Sequence, residues 1–221
     1  MKKVIALIPC RGNSKGIKNK NLINFFGKPL MYWTIKELRS SKFIDKIFVT
    51  SDSQKILNYA KKLKVGIIKR PMKISGDRSG SESALIHALK KINLNSEIIV
   101  FPQVTSPLRP KSVFDKAIKF FIKKNYDSLF SSSKVHNFIW KYKKGIFLPN
   151  YNYKKRPMRQ EINSFYDENG SFYIFKTKKF LKHKNRLFGK IGTYILEKKY
   201  SFDIDDKIDL KINKYLKNDK F

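Results

Sequence analysis

The amino-acid sequence predicts a doubly wound α/β fold with a mostly parallel sheet. Short apolar runs occur at residues 4–8, 47–49, 65–68 and 98–101, and each run is continuous rather than alternating. Continuous runs are typical of strands that are buried on both faces of a parallel sheet. Helical stretches lie between the runs, so strands and helices alternate along the chain.

Each predicted helix has a recognisable start. A helix over about 29–41 begins at a proline, and one over 53–63 begins at a serine that can cap it. Ser79 and Glu82 match a capping box ahead of a third helix. A fourth helix follows Ser112, with apolar residues at helical spacing. This alternation favours a Rossmann-like domain.

After about residue 134 the alternation stops, and the chain becomes aromatic and basic. A turn is predicted at Lys144-Gly145, which suggests a hairpin. Regular structure is predicted to return at residues 172–175, 191–197 and 206–216. We therefore expect one domain over residues 1–221, with a dimerisation or lid element inserted at about 134–165.

Composition limits the class of protein. The chain has 221 residues, of which 41% are hydrophobic, and this is enough for a core. It contains no apolar run of the roughly 18 residues that cross a bilayer and no signal-peptide pattern, so we expect a cytoplasmic protein without membrane partners. Cys10 is the single cysteine and has no evident partner base, so we expect a buried residue rather than a nucleophile.

The net charge of +32 suggests a nucleic-acid partner at first sight. Only eight of the 49 basic residues are arginines, however, and the lysines are scattered along the chain. Recognition of bases and phosphates in a fixed geometry favours arginine. No DNA- or RNA-binding motif accompanies the charge. A basic nucleic-acid-binding module therefore remains the less favoured alternative, and no specific nucleic acid is expected.

The segment IPCRGNSKGIKNKNL at residues 8–22 is the strongest candidate for a binding loop. It follows the first strand and carries Arg11, Lys15 and Lys20, which can neutralise phosphates. Its glycines can let the backbone approach phosphate oxygens. The loop matches neither the Walker A nor the G-x-G-x-x-G pattern. It also supplies further candidate nucleotide-binding residues, namely Gly12, Asn13, Ser14 and Asn21.

Two other strands also end in polar residues, at the edge where open parallel sheets bind ligands. Ser81 can meet a ribose or phosphate oxygen, although a capping role explains the serines there equally well. Gln103 and Arg109, in PQVTSPLR, can hold a sugar or a base amide edge, or the segment is simply a turn. Late in the chain, SFDIDD places Asp203 and Asp205 two residues apart. In a strand both would share one face and suit Mg²⁺, or an aspartate there caps the next helix.

These motifs together resemble the acylneuraminate cytidylyltransferases. The first loop, KRP, GDRSGSESALIHAL, PQVTSPLR, RQ, ENGSFYIF and SFDIDD occur in that family's order and span residues 4–210. The resemblance implies a Rossmann-like domain with a smaller dimerisation element, and hence a homodimer. It also implies transfer of CMP from CTP to the anomeric hydroxyl of a sialic-acid-like nonulosonic acid, with release of pyrophosphate.

The resemblance assigns roles residue by residue. It implies a nucleotide side formed by Arg11, Lys20, Asn21, Arg70 and Ser81. It implies a sugar side formed by Gln103, Arg159 and Asn169. Mg²⁺ would be the cofactor, bound by Asp203 and Asp205. Arg11 and Lys20 would stabilise the developing charge, and Gln103 would orient the anomeric hydroxyl.

One position departs from the family pattern. Many sialate-activating members have an arginine where this chain has Asp167. This change leaves the identity of the acidic sugar open. A related nucleotidyltransferase that acts on another acidic sugar, such as 3-deoxy-octulosonate, is the alternative function.

Overall fold

The computed structural model describes residues 3–14, 16–76, 79–92, 96–162 and 165–218. Strands within these residues are Val4–Pro9 (β1), Asn24–Phe25 (β2), Lys28–Pro29 (β3), Lys46–Ser51 (β4), Gly66–Lys69 (β5), Ile98–Pro102 (β6), Ser128–Val135 (β7), Trp140–Lys143 (β8), Ile146–Pro149 (β9), Phe165–Lys176 (β10) and Ile191–Leu196 (β11). Helices are Leu30–Arg39 (α1), Gln54–Lys62 (α2), Ser81–Lys91 (α3), Val113–Lys123 (α4), Thr177–His183 (α5) and Lys207–Asn218 (α6).

In the described part of the chain, the central sheet has seven strands in the order β11-β7-β10-β6-β1-β4-β5. β10 is antiparallel to both of its neighbours, and the other neighbouring strands are parallel. In the register, Leu7 lies opposite Phe48 and Val4 lies opposite Ile98. The predicted mostly parallel α/β fold is therefore confirmed.

Helices cover both faces of this sheet, and β1 shows why its sequence is apolar throughout. Val4, Ala6 and Ile8 join the core on the face that also buries residues of α1, α2 and α4. Ile5 and Leu7 join the opposite core with α3 and α5. Every side chain of the run is therefore removed from water. None of the helices in the described part of the chain is long and apolar enough to cross a membrane.

The helix starts lie close to their predicted positions, but the capping is different. Ser53 precedes α2 as predicted, although its side chain makes no cap hydrogen bond. The predicted capping box of Ser79 and Glu82 is wrong, since α3 begins at Ser81 and has no side-chain cap. The Glu82 carboxylate instead pairs with Arg186, 104 residues away in sequence. A long-range ion pair thus takes the place of the predicted local hydrogen bonds.

Strand β7 was not predicted, because its sequence SLFSSSKV is rich in serine. Ser128, Ser131 and Ser132 are nevertheless buried. Each hydroxyl has a partner, in Phe188, Asn169 and Thr193 respectively. Buried hydroxyls that are hydrogen-bonded in this way cost little. Helix α5 was missed as well.

The segment inserted between β7 and β10 contains the predicted hairpin. β8 and β9 pair antiparallel, and the turn residues Lys144 and Gly145 have φ values of 48° and 85°. Two positive φ angles are the geometry of a tight type I′ turn, which suits glycine. The hairpin is confirmed. The role of residues 134–165 in dimerisation or closure stays a prediction.

Candidate active site

A cavity of about 540 Å³ opens at the carboxyl ends of β1 and β6. It lies at the edge where an open parallel sheet binds its ligands. The cavity brings together nine of the predicted site residues, namely Arg11, Ser14, Lys20, Asn21, Arg70, Ser81, Gln103, Asp203 and Asp205. These residues come from distant parts of the sequence, so the fold has assembled them into one site.

The glycines of the first loop have a different use from the predicted one. The Gly12 N–H donates to an Asp52 carboxylate oxygen at 3.0 Å, and a Cβ on Gly12 would lie 2.9 Å from that of Ser53. A Cβ on Gly16 would collide with the Asp205 carbonyl oxygen. Both glycines therefore allow the loop to pack against neighbouring segments of the protein. Gly16 also lines the cavity, and the expectation that these glycines bring the backbone to phosphate oxygens stays a prediction.

The cationic side of the cavity is fixed by Asn21. This residue is buried, and its amide donates to the Arg11 carbonyl at 3.0 Å, which ties the start of the loop to its end. Arg11 and Lys20 line the cavity. Asn13 is exposed and does not line it. Lys15, also predicted to bind nucleotide, lies outside the described residues.

Arg70 belongs to a buried ion pair that sequence reasoning missed. Its side chain is 6% exposed and lies 3.2 Å from the carboxylate of Asp52. The Nε of Arg70 is buried and has no partner among the described residues. Asp52 follows β4 directly, so its position at the carboxyl end of a predicted strand was the available signal. The pair orients Arg70 at the wall of the cavity.

The turn after β6 divides into a cavity-facing part and a structural part. Gln103 and Thr105 line the cavity, and the Thr105 hydroxyl is buried without a partner in the described part of the chain. Arg109, by contrast, donates to Ser171, Thr34 and the Gln103 carbonyl. These contacts use the Arg109 guanidinium to hold the turn together. The alternative that this segment is a structural turn therefore holds for Arg109.

Gly170 is the glycine whose conformation the site does require. Its φ is +65°, and a Cβ there would lie 3.2 Å from an Asp203 oxygen and 3.3 Å from the Gln103 amide nitrogen. A larger residue would be strained and would press on both side chains. Asn169, just before it, is buried and makes hydrogen bonds with Ser131 and Ser201. Asn169 thus supports this corner rather than lining the cavity.

Asp203 and Asp205 reach the cavity from an irregular segment, not from the predicted strand. The side chain between them, Ile204, is fully buried, and its N–H donates to the Thr105 carbonyl at 2.8 Å. This anchor leaves the flanking carboxylates on the cavity side. Asp206 points elsewhere and accepts from the first N–H groups of α6, so the capping alternative holds for that residue.

The two cavity carboxylates differ in environment. Burial raises the pKa of Asp203, against the effect of a hydrogen bond from Ser106. Asp205 is 78% exposed and pairs with Lys20 at 2.7 Å. Within the described residues no three acidic, histidine or cysteine side chains cluster as a metal site. Two carboxylates beside cations that could bind phosphate nevertheless suit Mg²⁺, which takes its other ligands from phosphates and water.

Arg159 lies apart from the cavity. It belongs to the short helix Arg159–Glu161 and donates to the His136 carbonyl at 3.2 Å. It borders a separate depression beside the inserted hairpin. Its predicted role on the sugar side stays a prediction, since this chain alone does not bring it to Gln103.

Cys10 has no role as a nucleophile in this arrangement. It is buried at the end of β1, and burial raises the pKa of its thiol to about 12, although Arg70 acts in the opposite direction. A thiol with this pKa stays protonated near neutral pH and is a poor nucleophile.

Comparison with known proteins agrees with this geometry. A protein-family model described as "Cytidylyltransferase" matches residues 5–220. The chain is 35% identical over 212 residues to N-acylneuraminate cytidylyltransferase A of Danio rerio, covering 93% of this chain and 49% of that protein. It is 29% identical to the N-acylneuraminate cytidylyltransferase of Streptococcus agalactiae serotype III, covering 94% and 51%. The chain thus spans about half the length of these relatives.

Solved structures share the fold at low identity. A CMP:2-keto-3-deoxy-manno-octonic acid synthetase complexed with CTP superposes with a TM-score of 0.74 at 12% identity and full coverage of both chains. A 4-diphosphocytidyl-2C-methyl-D-erythritol synthase from Anaerococcus prevotii gives 0.68 at 17% identity, with 98% and 99% coverage. These likenesses show the fold alone.

Proposed function

Since the chain belongs to the cytidylyltransferase family, we propose that it transfers CMP from CTP to the anomeric hydroxyl of a sialic-acid-like nonulosonic acid. Pyrophosphate is the second product. One observation carries the proposal: the cavity combines the cationic loop, Gln103 and the carboxylates Asp203 and Asp205 within one space. The similarity to N-acylneuraminate cytidylyltransferases supports the choice of substrates.

In this proposal the nucleotide occupies the wall formed by the first loop, Arg70 and the start of α3. Arg11 and Lys20 offset the triphosphate charge, and the first turn of α3 presents Ser81. Arg70 is held in place by Asp52. Such preorganised charges stabilise a phosphoryl-transfer transition state without reorganisation.

The sugar occupies the side of Gln103. Its anomeric oxygen forms a bond to the α-phosphorus while the bond from that phosphorus to pyrophosphate breaks, and the hydroxyl proton is released. The Gln103 amide, which lies close to Gly170, orients this hydroxyl for in-line attack. Positioning of this kind can supply a large part of a rate enhancement.

Asp203 and Asp205 are the residues that would hold Mg²⁺. When bound, the ion supplies charge neutralisation at the phosphates and the leaving group. Lys20 pairs with Asp205 and also lines the cavity, so this cation lies next to the proposed metal position. Lys20 is therefore placed to exchange its carboxylate partner for a phosphate.

A second candidate substrate is 3-deoxy-octulosonate. The fold superposes on a synthetase for 2-keto-3-deoxy-manno-octonic acid. In this chain Asp167, at the position of a common arginine, is exposed on β10 opposite Ser133. A carboxylate there disfavours a negatively charged substrate group nearby, and because both sugars are carboxylic acids, Asp167 does not decide between them. This candidate is tested in the same experiment as the first.

The test is a pyrophosphate-release assay with Mg²⁺, each of the four nucleoside triphosphates, and a panel of acidic sugars. The panel contains N-acetylneuraminate, other nonulosonic acids and 3-deoxy-octulosonate. We expect turnover with CTP and a nonulosonic acid. Turnover with 3-deoxy-octulosonate alone would support the second candidate. A folded protein that turns over no combination would contradict both.

We further propose that the hairpin β8–β9 mediates a homodimer. Its apolar side chains are exposed in the single chain, with Phe147 65% and Tyr142 63% accessible. An apolar surface of this kind suggests a partner. A second copy of the chain is the partner that the family resemblance implies.

A further inference from the structure

Arg186 occupies an unusual position at the edge of the candidate active site. Its guanidinium carbon lies 5.2 Å from the centre of the Phe101 ring and 4.8 Å from that of Tyr173. The two rings stack on each other 5.4 Å apart. Phe101 also lines the cavity. Arg186 is therefore fixed against the outer side of a cavity wall by two cation–π contacts.

The same guanidinium contacts a second wall of the cavity. Arg186 Nε donates to a Glu82 carboxylate oxygen at 2.6 Å, and both side chains are about one-fifth exposed. Glu82 lies in the first turn of α3, next to Ser81, which lines the cavity. Its other oxygen lies close to Gly80, since a Cβ there would be 3.1 Å away. The carboxylate therefore folds back over the start of the helix.

This geometry places a negative charge beside the proposed nucleotide wall. An unpaired carboxylate at that point would repel a triphosphate and would compete for the positive end of the helix dipole. Burial acts to raise the pKa of Glu82, yet the contacts with Arg186, together with a hydrogen bond from the backbone N–H of Glu82 itself, outweigh burial and lower the pKa. Glu82 is thus ionised and needs a counter-charge.

We propose that Arg186 is a positioning residue for nucleotide binding. Its side chain neutralises the charge of Glu82 and joins the start of α3 to the end of β6. The inference rests on the proposed function, because it concerns how that site accepts CTP. Arg186 does not line the cavity, so it acts through Glu82 and Phe101 and not by contact with substrate.

The test measures CTP binding by calorimetry at low salt. In Arg186→Met the Glu82 charge loses its partner, and we expect the Kd for CTP to rise about tenfold. Glu82→Gln should bind CTP as well as the wild type. The double variant should recover most of the lost affinity, since it lacks the repelling charge. The loss in Arg186→Met should also shrink as salt is raised.

Lys179→Met is the matched control. Lys179 pairs with Asp127 at 2.7 Å, away from the cavity, so its loss removes an ion pair without changing CTP binding. Arg186→Lys keeps the positive charge, so its Kd for CTP should lie within about threefold of the wild-type value. This variant allows the proposal to be tested even if Arg186→Met does not fold.

Several outcomes would overturn the inference. One is an Arg186→Met variant that binds CTP as tightly as Lys179→Met. A second is a double variant as weak as Arg186→Met, because a purely structural loss would not be repaired by removing Glu82. If the wild type turns over CTP while Arg186→Met and Lys179→Met bind CTP equally well, only this inference fails. If the wild type binds no nucleoside triphosphate, the proposed function fails with it.

Discussion

At the scale of single residues, the two cavity carboxylates show how neighbours in sequence acquire different properties. Asp203 is half-buried and receives a hydrogen bond from Ser106, whereas Asp205 is exposed and paired with Lys20. The buried Ile204 between them determines this arrangement. Asp203 is therefore held in place, while in the proposed mechanism Asp205 would exchange Lys20 for Mg²⁺. Asp206, one residue later, accepts hydrogen bonds from the first turn of α6 and caps that helix.

Asp203→Asn and Asp205→Asn should each lower kcat by about a hundredfold or more, the usual size of a lost electrostatic contact to a transition state. Chelation of divalent ions should abolish wild-type turnover. Steady-state kinetics and thermal melts measure these effects. Asp206→Asn is the control: this residue caps a helix, and asparagine caps about as well as aspartate, so neither kcat nor the melting temperature should change much. Full activity in Asp203→Asn and Asp205→Asn would remove the metal assignment.

The hydroxyl of Thr105, a residue that lines the cavity, is buried and has no partner in the described part of the chain. Thr105→Val should raise the melting temperature, because an unsatisfied buried polar atom is removed. It should also raise KM for one substrate about fivefold, if a substrate supplies the missing hydrogen bond. Thr50→Val is the matched control, since the Thr50 hydroxyl is also buried and unpartnered but lies outside the cavity. Equal KM values in both variants would contradict a binding role for Thr105.

At the scale of elements, the hairpin β8–β9 differs from the rest of the chain. The central strands bury apolar side chains on both faces, while the hairpin exposes Tyr142, Ile146 and Phe147. Its tight turn and cross-strand contact between Tyr142 and Phe147, 5.0 Å apart, give it a defined shape. An element that is ordered but apolar outside gains stability when a partner covers it.

Phe147→Lys should therefore weaken dimerisation, with a rise of at least about tenfold in the dissociation constant, as for a central interface residue. Light scattering over a concentration series measures this value. Ile208→Lys is the control, because Ile208 is 66% exposed on α6, away from the hairpin. A wild-type chain that remains monomeric at high concentration would contradict the proposed dimer.

At the scale of the whole molecule, the sequence was informative where local chemistry decides the structure. The parallel strands follow from apolar runs, and the site follows from polar residues at strand ends. Long-range contacts were not predictable in this way. The ion pairs of Asp52 with Arg70 and of Glu82 with Arg186 depend on the tertiary structure, which brings these residues together. The serine-rich β7 was missed because its hydroxyls are satisfied by distant partners.

The net charge is the other property of the whole molecule, and few of the cations have a defined place in the site. Arg11, Lys20 and Arg70 line the cavity, whereas many lysines lie on exposed surfaces. Scattered cations bind polyanions through release of counterions, and such binding weakens steeply with salt. Any affinity for nucleic acid should therefore lack selectivity for sequence or structure.

Duplex DNA should bind this protein weakly at about 50 mM salt and lose most of its affinity by about 200 mM. Polyglutamate should compete with the DNA, because it offers charge without bases. Fluorescence anisotropy with labelled duplexes of different sequence measures both effects, and CTP turnover at the same salt concentrations serves as the reference. Selective binding that persists at 200 mM salt and resists polyglutamate would instead support a nucleic-acid-binding module, because lysines on a solvated surface cannot distinguish one polyanion from another.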